Sequence, residues 1–290
     1  MRLLITGIDG FTGRHLKNYL EKNSKTEIFG TSRKFENNKV FKCDINDRNN
    51  VRYVLNEVKP DIIIHLAAVS FVASENTQNF YNVNTLGTQN IFEENRWAEK
   101  VIVASSAVVY GRQGKEVLDE GMCVNPNNHY GLSKYGAEQI AKNYIDKSGV
   151  IITRPFNYTG PGQDDKFLVP KIVKHFKEGK KEIELGNLDV VREFNDIDFV
   201  CEVYKRLIFS DIKNEIVNIA SSRGIRLLDV IRYMEDIAGY KIKIKINPKY
   251  VRKNDIPKLL GSNKKLFSLI GEVKQKPFYE TLRDMYEYSD

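Results

Sequence analysis

Leu3-Leu4-Ile5-Thr6-Gly7-Ile8-Asp9-Gly10-Phe11-Thr12-Gly13 decides the fold, because a short apolar run leads into glycines at every third position and then into a helix-compatible stretch. An apolar run of this length closed by glycine reads as a buried strand, and the glycines permit a sharp strand-to-helix turn. The helix entered near Thr12 would turn its unpaired N–H groups and its positive dipole end toward an anion over Gly7, Gly10 and Gly13. The turn therefore predicts a phosphate cradle, with Phe11 and Thr12 among its contacts. The spacing Gly-x-x-Gly-x-x-Gly departs from the Gly-x-Gly-x-x-Gly fingerprint, and glycines also punctuate ordinary strand-to-helix turns.

Outward from this turn, strand-like runs at 27–31, 40–43, 61–66, 101–105 and 150–154 alternate with helical spacing at 51–58, 85–97 and 130–145. Such alternation predicts an α/β fold, a doubly wound parallel sheet of the Rossmann kind. After Pro155 the texture changes to a loop, Asn157 to Gln163, followed by shorter elements. We place a cofactor-binding domain at residues 1–158 and a smaller C-terminal substrate lobe at 159–290. A further buried strand at 215–220 would return to the sheet, so the two are interleaved.

The chain has 290 residues and a formal charge of +7, with its lysines spread along its length, which points away from nucleic acid. The densest basic piece, 241–246, alternates Lys and Ile as a half-buried strand with lysines outward would. The longest apolar stretch, 62–69, is too short for a bilayer, and the N-terminus has no signal-peptide pattern, so the expectation is a cytoplasmic protein with no membrane partner. Cys43, Cys123 and Cys201 are expected to be reduced and buried. His65 ends a strand and reads as a hydrogen-bonded core residue. His15, His129 and His175 lack metal-ligand spacing, so no metal is expected.

A second signal lies downstream. Tyr130 and Lys134, four residues apart in Tyr130-Gly131-Leu132-Ser133-Lys134, share one helix face. There the ammonium could lower the phenol's pKa and make it a general acid. The apolar strand at 101–105 ends in Ser105-Ser106, and strand ends are where ligands sit in doubly wound sheets. Glycine turn, strand-end serine and Tyr-x-x-x-Lys, in this order, resemble the extended short-chain dehydrogenase/reductase family of nucleotide-sugar epimerases, dehydratases and reductases. The resemblance spans essentially the whole chain.

That resemblance implies a site. Ser106, four residues before Tyr110, takes the place of the family's catalytic Ser or Thr, with Tyr130 as acid-base and Lys134 holding the cofactor ribose. Asp44 and Ile45 would meet the adenine, Leu66-Ala67-Ala68 would run beneath the cofactor, and Asn84 would order the site. The second strand ends in Thr31-Ser32-Arg33-Lys34 with no carboxylate, and Arg33 suits the 2′-phosphate of NADP(H), with NAD(H) the alternative. Asn157 would face the substrate, Arg192 would clamp its diphosphate, and Arg252 with Asp255 would grip the nucleotide. Lys253 stands where the family often has Pro. The loop 154–163 resembles that of GDP-4-keto-6-deoxy-mannose reductases.

Sugar dehydratases of this family need an acid-base pair just after the catalytic Ser or Thr, and this chain has Ala107 and Val108 there. The reaction expected is NADPH-dependent reduction of the 4-keto group of a nucleotide-linked 4-keto-6-deoxyhexose, with GDP favoured over UDP or dTDP. A 4-epimerase with bound NAD(P) and a non-catalytic NADP-sensing protein are the alternatives. The family resemblance further implies a homodimer.

Overall fold

The structure is a computed structural model and describes residues 1–71, 76–251 and 257–289. Seven strands form one sheet: β1 (Arg2–Thr6), β2 (Glu27–Ser32), β3 (Val40–Lys42), β4 (Ile62–His65), β5 (Lys100–Ala104), β6 (Gly149–Pro155) and β7 (Glu215–Ile219). Their order across the sheet is β7-β6-β5-β4-β1-β2-β3, and every pairing is parallel. The order reverses between β1 and β4, where Thr6 pairs with His65. That switch point is where an open parallel sheet offers a crevice.

Alternation along the strands divides the core. Leu3, Ile5, Ile64, Ile102 and Ile151 face one layer, containing helices α1 (Phe11–Asn23) and Ile197–Phe209. Leu4, Ile63, Val101, Val103, Val150 and Ile152 face the other, with Arg48–Val58, Gly87–Glu94 and α2 (His129–Lys142). Burial on both faces is why these strands read as continuous apolar runs.

A separate apolar cluster, with Ile172, Phe176, Leu185, Val230, Met234, Phe278 and Leu282, forms the later lobe. A four-stranded sheet stitches this lobe to the first: Val117–Leu118 pairs with Lys258–Gly261, which pairs with Val191–Arg192. Lys100, at the foot of β5, donates from Nζ to the carbonyls of Leu207, Ile208 and Ser210, and so satisfies the C-terminus of the Ile197–Phe209 helix.

Several local expectations need correction. The 85–97 helix begins earlier, at Thr77–Phe80, passes through a π-helical turn at Tyr81–Leu86, and ends at Glu94. The wide turn carries Asn84 into the interior. The 157–163 loop contains a strand, Tyr158–Thr159, paired with Asn195–Asp196. Lys243–Ile246 is a strand whose only strand partner among the described residues is Glu182–Leu185, and Ile246 is 63% exposed. Cys43 and Cys201 are buried, whereas Cys123 is exposed in the loop before α2.

His65 is buried in a hydrogen-bond chain that fixes its tautomer. Thr88 Oγ1 donates to the Asn84 carbonyl, so it accepts from His65 Nε2–H at 3.0 Å. Thr6 Oγ1 accepts from the Ala67 N–H and donates to His65 Nδ1 at 2.8 Å. Burial, seconded by the Lys134 charge, pushes the imidazole pKa down to about 3. Unfolded, the same ring titrates near 6.5, so between about pH 6.5 and 3 the unfolded chain binds a proton that the native one refuses. Stability contributed by the neutral ring is complete above about pH 6.5 and is lost as pH falls. We predict that denaturant titrations of the wild type lose about 2 to 3 kcal/mol more than His65→Gln between pH 6.5 and 4.5. Parallel stability curves for the two proteins would refute the assignment.

Candidate active site

The glycine turn is built by close approach. Gly7 has φ +68°, the left-handed region, and a Cβ on it would lie 2.9 Å from the Ala67 Cα. A Cβ on Gly13 would stand 2.3 Å from the Gly7 carbonyl oxygen, so α1 can leave β1 this tightly only with glycine there. Gly10 is the N-cap of α1 and offers no side-chain acceptor, unlike Asp47, Asn128 and Asp196 at other helix starts. The first-turn amides of α1 are thus left for an external anion, a donor set that fits a pyrophosphate. Thr12 Oγ1 hydrogen-bonds the Tyr158 hydroxyl at 2.7 Å, and Phe11 stacks on the Tyr158 ring. These contacts tie the turn to the chain beyond β6.

Ser106, Tyr130 and Lys134 come together at the carboxyl end of β5. Ser106 caps the short helix Ala107–Tyr110, with its Oγ accepting from the Val108 N–H at 3.3 Å. The Asn128 side chain accepts from the Gly131 N–H at 2.8 Å and starts α2, which places Tyr130 and Lys134 one turn apart on the buried face. The Ser106 hydroxyl neighbours the Tyr130 phenol and favours its ionised form. Lys134 Nζ donates to the Ala104 carbonyl at 2.7 Å. Ser105, the neighbouring hydroxyl, is buried and donates instead to Glu138 Oε1 at 2.6 Å, so it points away from Tyr130's partner.

The electrostatics correct one expectation. Lys134 does not lower the Tyr130 pKa here: burial raises the phenol to about 12, against the opposing pull of Ser106. Burial likewise lowers Lys134 to about 8, with Glu138 resisting. Desolvation disfavours both charged forms, and the ammonium is spent on a carbonyl rather than on the phenol.

The remaining sequence candidates spread along the sheet's carboxyl edge. Arg33 is exposed just beyond β2. Asp44 is exposed beyond β3, while Ile45 is buried and its carbonyl accepts from Asn90 Nδ2 at 2.9 Å. Leu66, Ala67 and Ala68 follow β4, half-buried, with Ala67 against Gly7 of the glycine turn. Asn84 exchanges bonds with the Val69 backbone and donates to Ser133 Oγ, joining that floor to α2. Asn157 is exposed past β6. Half-buried Arg192 donates to the Val191 and Pro257 carbonyls from the later lobe. Arg252 and Asp255 lie outside the described residues.

Two residues that sequence reasoning passed over stand directly behind the trio. Arg154 and Glu138 are both buried and form a two-pronged ion pair, Nε to Oε1 at 2.9 Å and Nη2 to Oε2 at 2.7 Å. Glu138 follows Lys134 by four residues on α2, a spacing that could have flagged it.

A family model, "NAD dependent epimerase/dehydratase family", matches residues 3–220. A GDP-6-deoxy-D-talose 4-dehydrogenase from Aggregatibacter actinomycetemcomitans is 37% identical, over 99% of this chain and 97% of the relative. A GDP-6-deoxy-D-mannose reductase from Pseudomonas aeruginosa is 27% identical, over 97% of this chain and 95% of the relative. Among solved structures, RMD from Pseudomonas aeruginosa complexed with NADPH superposes with a TM-score of 0.86 at 26% identity, covering 98% of this chain and 97% of the other. Fold, glycine turn and relatives along the full length agree: the chain belongs to the NAD dependent epimerase/dehydratase family and is an enzyme of the nucleotide-sugar epimerase/dehydrogenase kind.

Proposed function

We propose that this enzyme reduces the 4-keto group of a nucleotide-linked 4-keto-6-deoxyhexose, with NADPH as hydride donor and GDP as the favoured nucleotide. The observation that carries the reading is the buried Tyr130 phenol beside the Ser106 hydroxyl, a phenol that burial keeps protonated at neutral pH. Ketone reduction needs a proton donor beside the reacting oxygen, and Tyr130 is that donor, with Ser106 holding the oxygen. Lys134 supplies the positive charge that steadies the tyrosinate left behind. When bound, the nicotinamide cofactor supplies the hydride to carbon 4. One hydride and one proton convert the ketone to the alcohol.

Gly7, Gly10, Phe11, Thr12 and Gly13 would hold the cofactor's pyrophosphate, with Asp44, Ile45, Leu66, Ala67, Ala68 and Asn84 along its length and Lys134 at its ribose. Arg33 would select the 2′-phosphate, since no carboxylate stands at the end of β2 to accept from ribose hydroxyls. Asn157, Arg192, Arg252 and Asp255 would take the nucleotide sugar. In this division residues 1–158 bind cofactor and 159–290 bind substrate, in a homodimer. Ala107 and Val108 offer no proton-transfer group, which weighs against dehydration. The relatives' names support oxidoreduction of a GDP-linked 6-deoxyhexose, and that of the talose dehydrogenase places it at position 4.

The deciding experiment incubates the enzyme with 4-keto-6-deoxyhexoses carrying GDP, UDP or dTDP and with NADPH deuterated at the transferred position. We expect one NADPH oxidised per product, with label at carbon 4. Interconversion of two alcohols without added NADPH would replace this reading with the 4-epimerase, and binding without turnover would replace it with the sensor. Tyr130→Phe keeps the ring and removes the proton; its kcat should fall by about two to four powers of ten with NADPH affinity nearly unchanged. Wild-type turnover in that variant would exclude Tyr130 as the acid. Arg33→Asp should weaken NADPH binding about ten- to a hundredfold while improving NADH relative to it. Unmoved affinities for both cofactors would remove Arg33 from the pocket.

A further inference from the structure

Tyr130, Lys134 and Glu138 are the i, i+4 and i+8 positions of one helix, and each meets a different residue of the same three-residue segment. Tyr130 neighbours the Ser106 hydroxyl, Lys134 donates to the Ala104 carbonyl and Glu138 accepts from the Ser105 hydroxyl. The third rung is itself clamped from β6 by the Arg154 fork. Arg154 also lies over the Tyr110 ring, 4.8 Å from its centroid, and the Tyr110 hydroxyl donates to Asn218 Oδ1 at 2.7 Å. Tyr110 closes the short helix that Ser106 opens, so the clamp grips that segment at both ends.

Stability alone is a poor reason for such a pair, because two desolvated charges seldom outperform apolar side chains of the same volume. Orientation is a better one, since the fork fixes the carboxylate plane and hence where its free lone pairs point. We propose that Glu138, clamped by Arg154, is a positioning residue that sets the register of α2 against Ala104–Ser106 and serves as the counter-charge of Lys134. The proposal rests on the reading of Ser106, Tyr130 and Lys134 as the reactive trio. The groups around Lys134 are Glu138 and Tyr130 on its own helix, neutral His65 from β4 and the Ala104 carbonyl from β5. The Glu138 charge favours the ammonium, as does the Ala104 carbonyl that accepts from Nζ.

Glu138→Gln keeps the shape and the Ser105 acceptor but removes the charge. Two measurements follow it: the pH profile of kcat/KM for the NADPH-dependent reduction, and the ¹³Cε resonance of Lys134 in lysine-labelled protein, assigned with Lys134→Met. Losing an opposing charge should move the Lys134 titration about one pH unit downward, and the alkaline limb of kcat/KM with it, alongside a roughly ten- to hundredfold loss at pH 7. Ser105→Ala breaks the register contact while leaving the ion pair intact; its kcat should fall about three- to tenfold with the limb unmoved. A wild type that reduces no 4-keto sugar sinks the functional reading, while the resonance still decides the counter-charge. A folded Glu138→Gln with an unshifted Lys134 titration overturns the proposal. So does wild-type kcat in Ser105→Ala when Glu138→Gln either fails to fold or turns over normally.

Discussion

A parallel sheet covered on both faces leaves buried polar groups few places to gather. Along β1, β4, β5 and β6 the interior side chains are mostly Leu, Ile and Val, and apart from Lys100 at the foot of β5 the buried polar ones, Thr6, His65, Thr153 and Arg154, stand toward the carboxyl ends. Each such group must find a partner once water is excluded. Because all strands run the same way, those partners converge on one edge. The site is a consequence of that convergence, and the interleaved chain follows from it too: Ile197–Phe209 covers one face, β7 extends the sheet, and Asn218 on β7 reaches Tyr110.

Two buried polar chains meet there, and they do different things. The chain through Ala67, Thr6, His65, Thr88 and Asn84 is neutral, and every donor in it has an assigned acceptor. It binds β1 and β4 to the helical run beyond, across the point where the strand order reverses. The chain through Ser105, Glu138 and Arg154 is charged and binds β5, α2 and β6. A neutral chain tolerates burial cheaply, whereas the charged one makes sense where its field acts on a neighbour. Lys134 is that neighbour.

Much of the architecture was legible because periodicity and glycine placement are local. The run 3–6 with Gly7 and Gly13 foretold a strand, a turn and a helix, and Tyr130 with Lys134 foretold one helix face. The π-helical turn at Tyr81–Leu86 was not legible, since no composition cue separates a widened turn from an ordinary one. Cys123 was misplaced because its exposure depends on how the loop before α2 lies, which no neighbour in sequence dictates. Arg154 read as the end of an apolar strand; its partner is sixteen residues away on another element, and a pairing of that kind is set by tertiary packing.

The Tyr130 result shows where residue spacing stops being informative. An i, i+4 pair of Tyr and Lys places the two groups on one face, but whether the charge reaches the phenol depends on where the ammonium points and on how much water surrounds both. Here the ammonium turns to the Ala104 carbonyl, and desolvation raises the phenol to about 12. A protonated phenol beside a carbonyl oxygen is the ground state that reduction requires, since the proton must be present before charge develops on that oxygen. Once the proton leaves, the tyrosinate is an anion in a dry site, and a nearby cation becomes far more valuable to it than to the neutral ring. On the proposed reading, the same burial that keeps Tyr130 loaded makes Lys134 matter most in the transition state, which is where a catalytic charge should act.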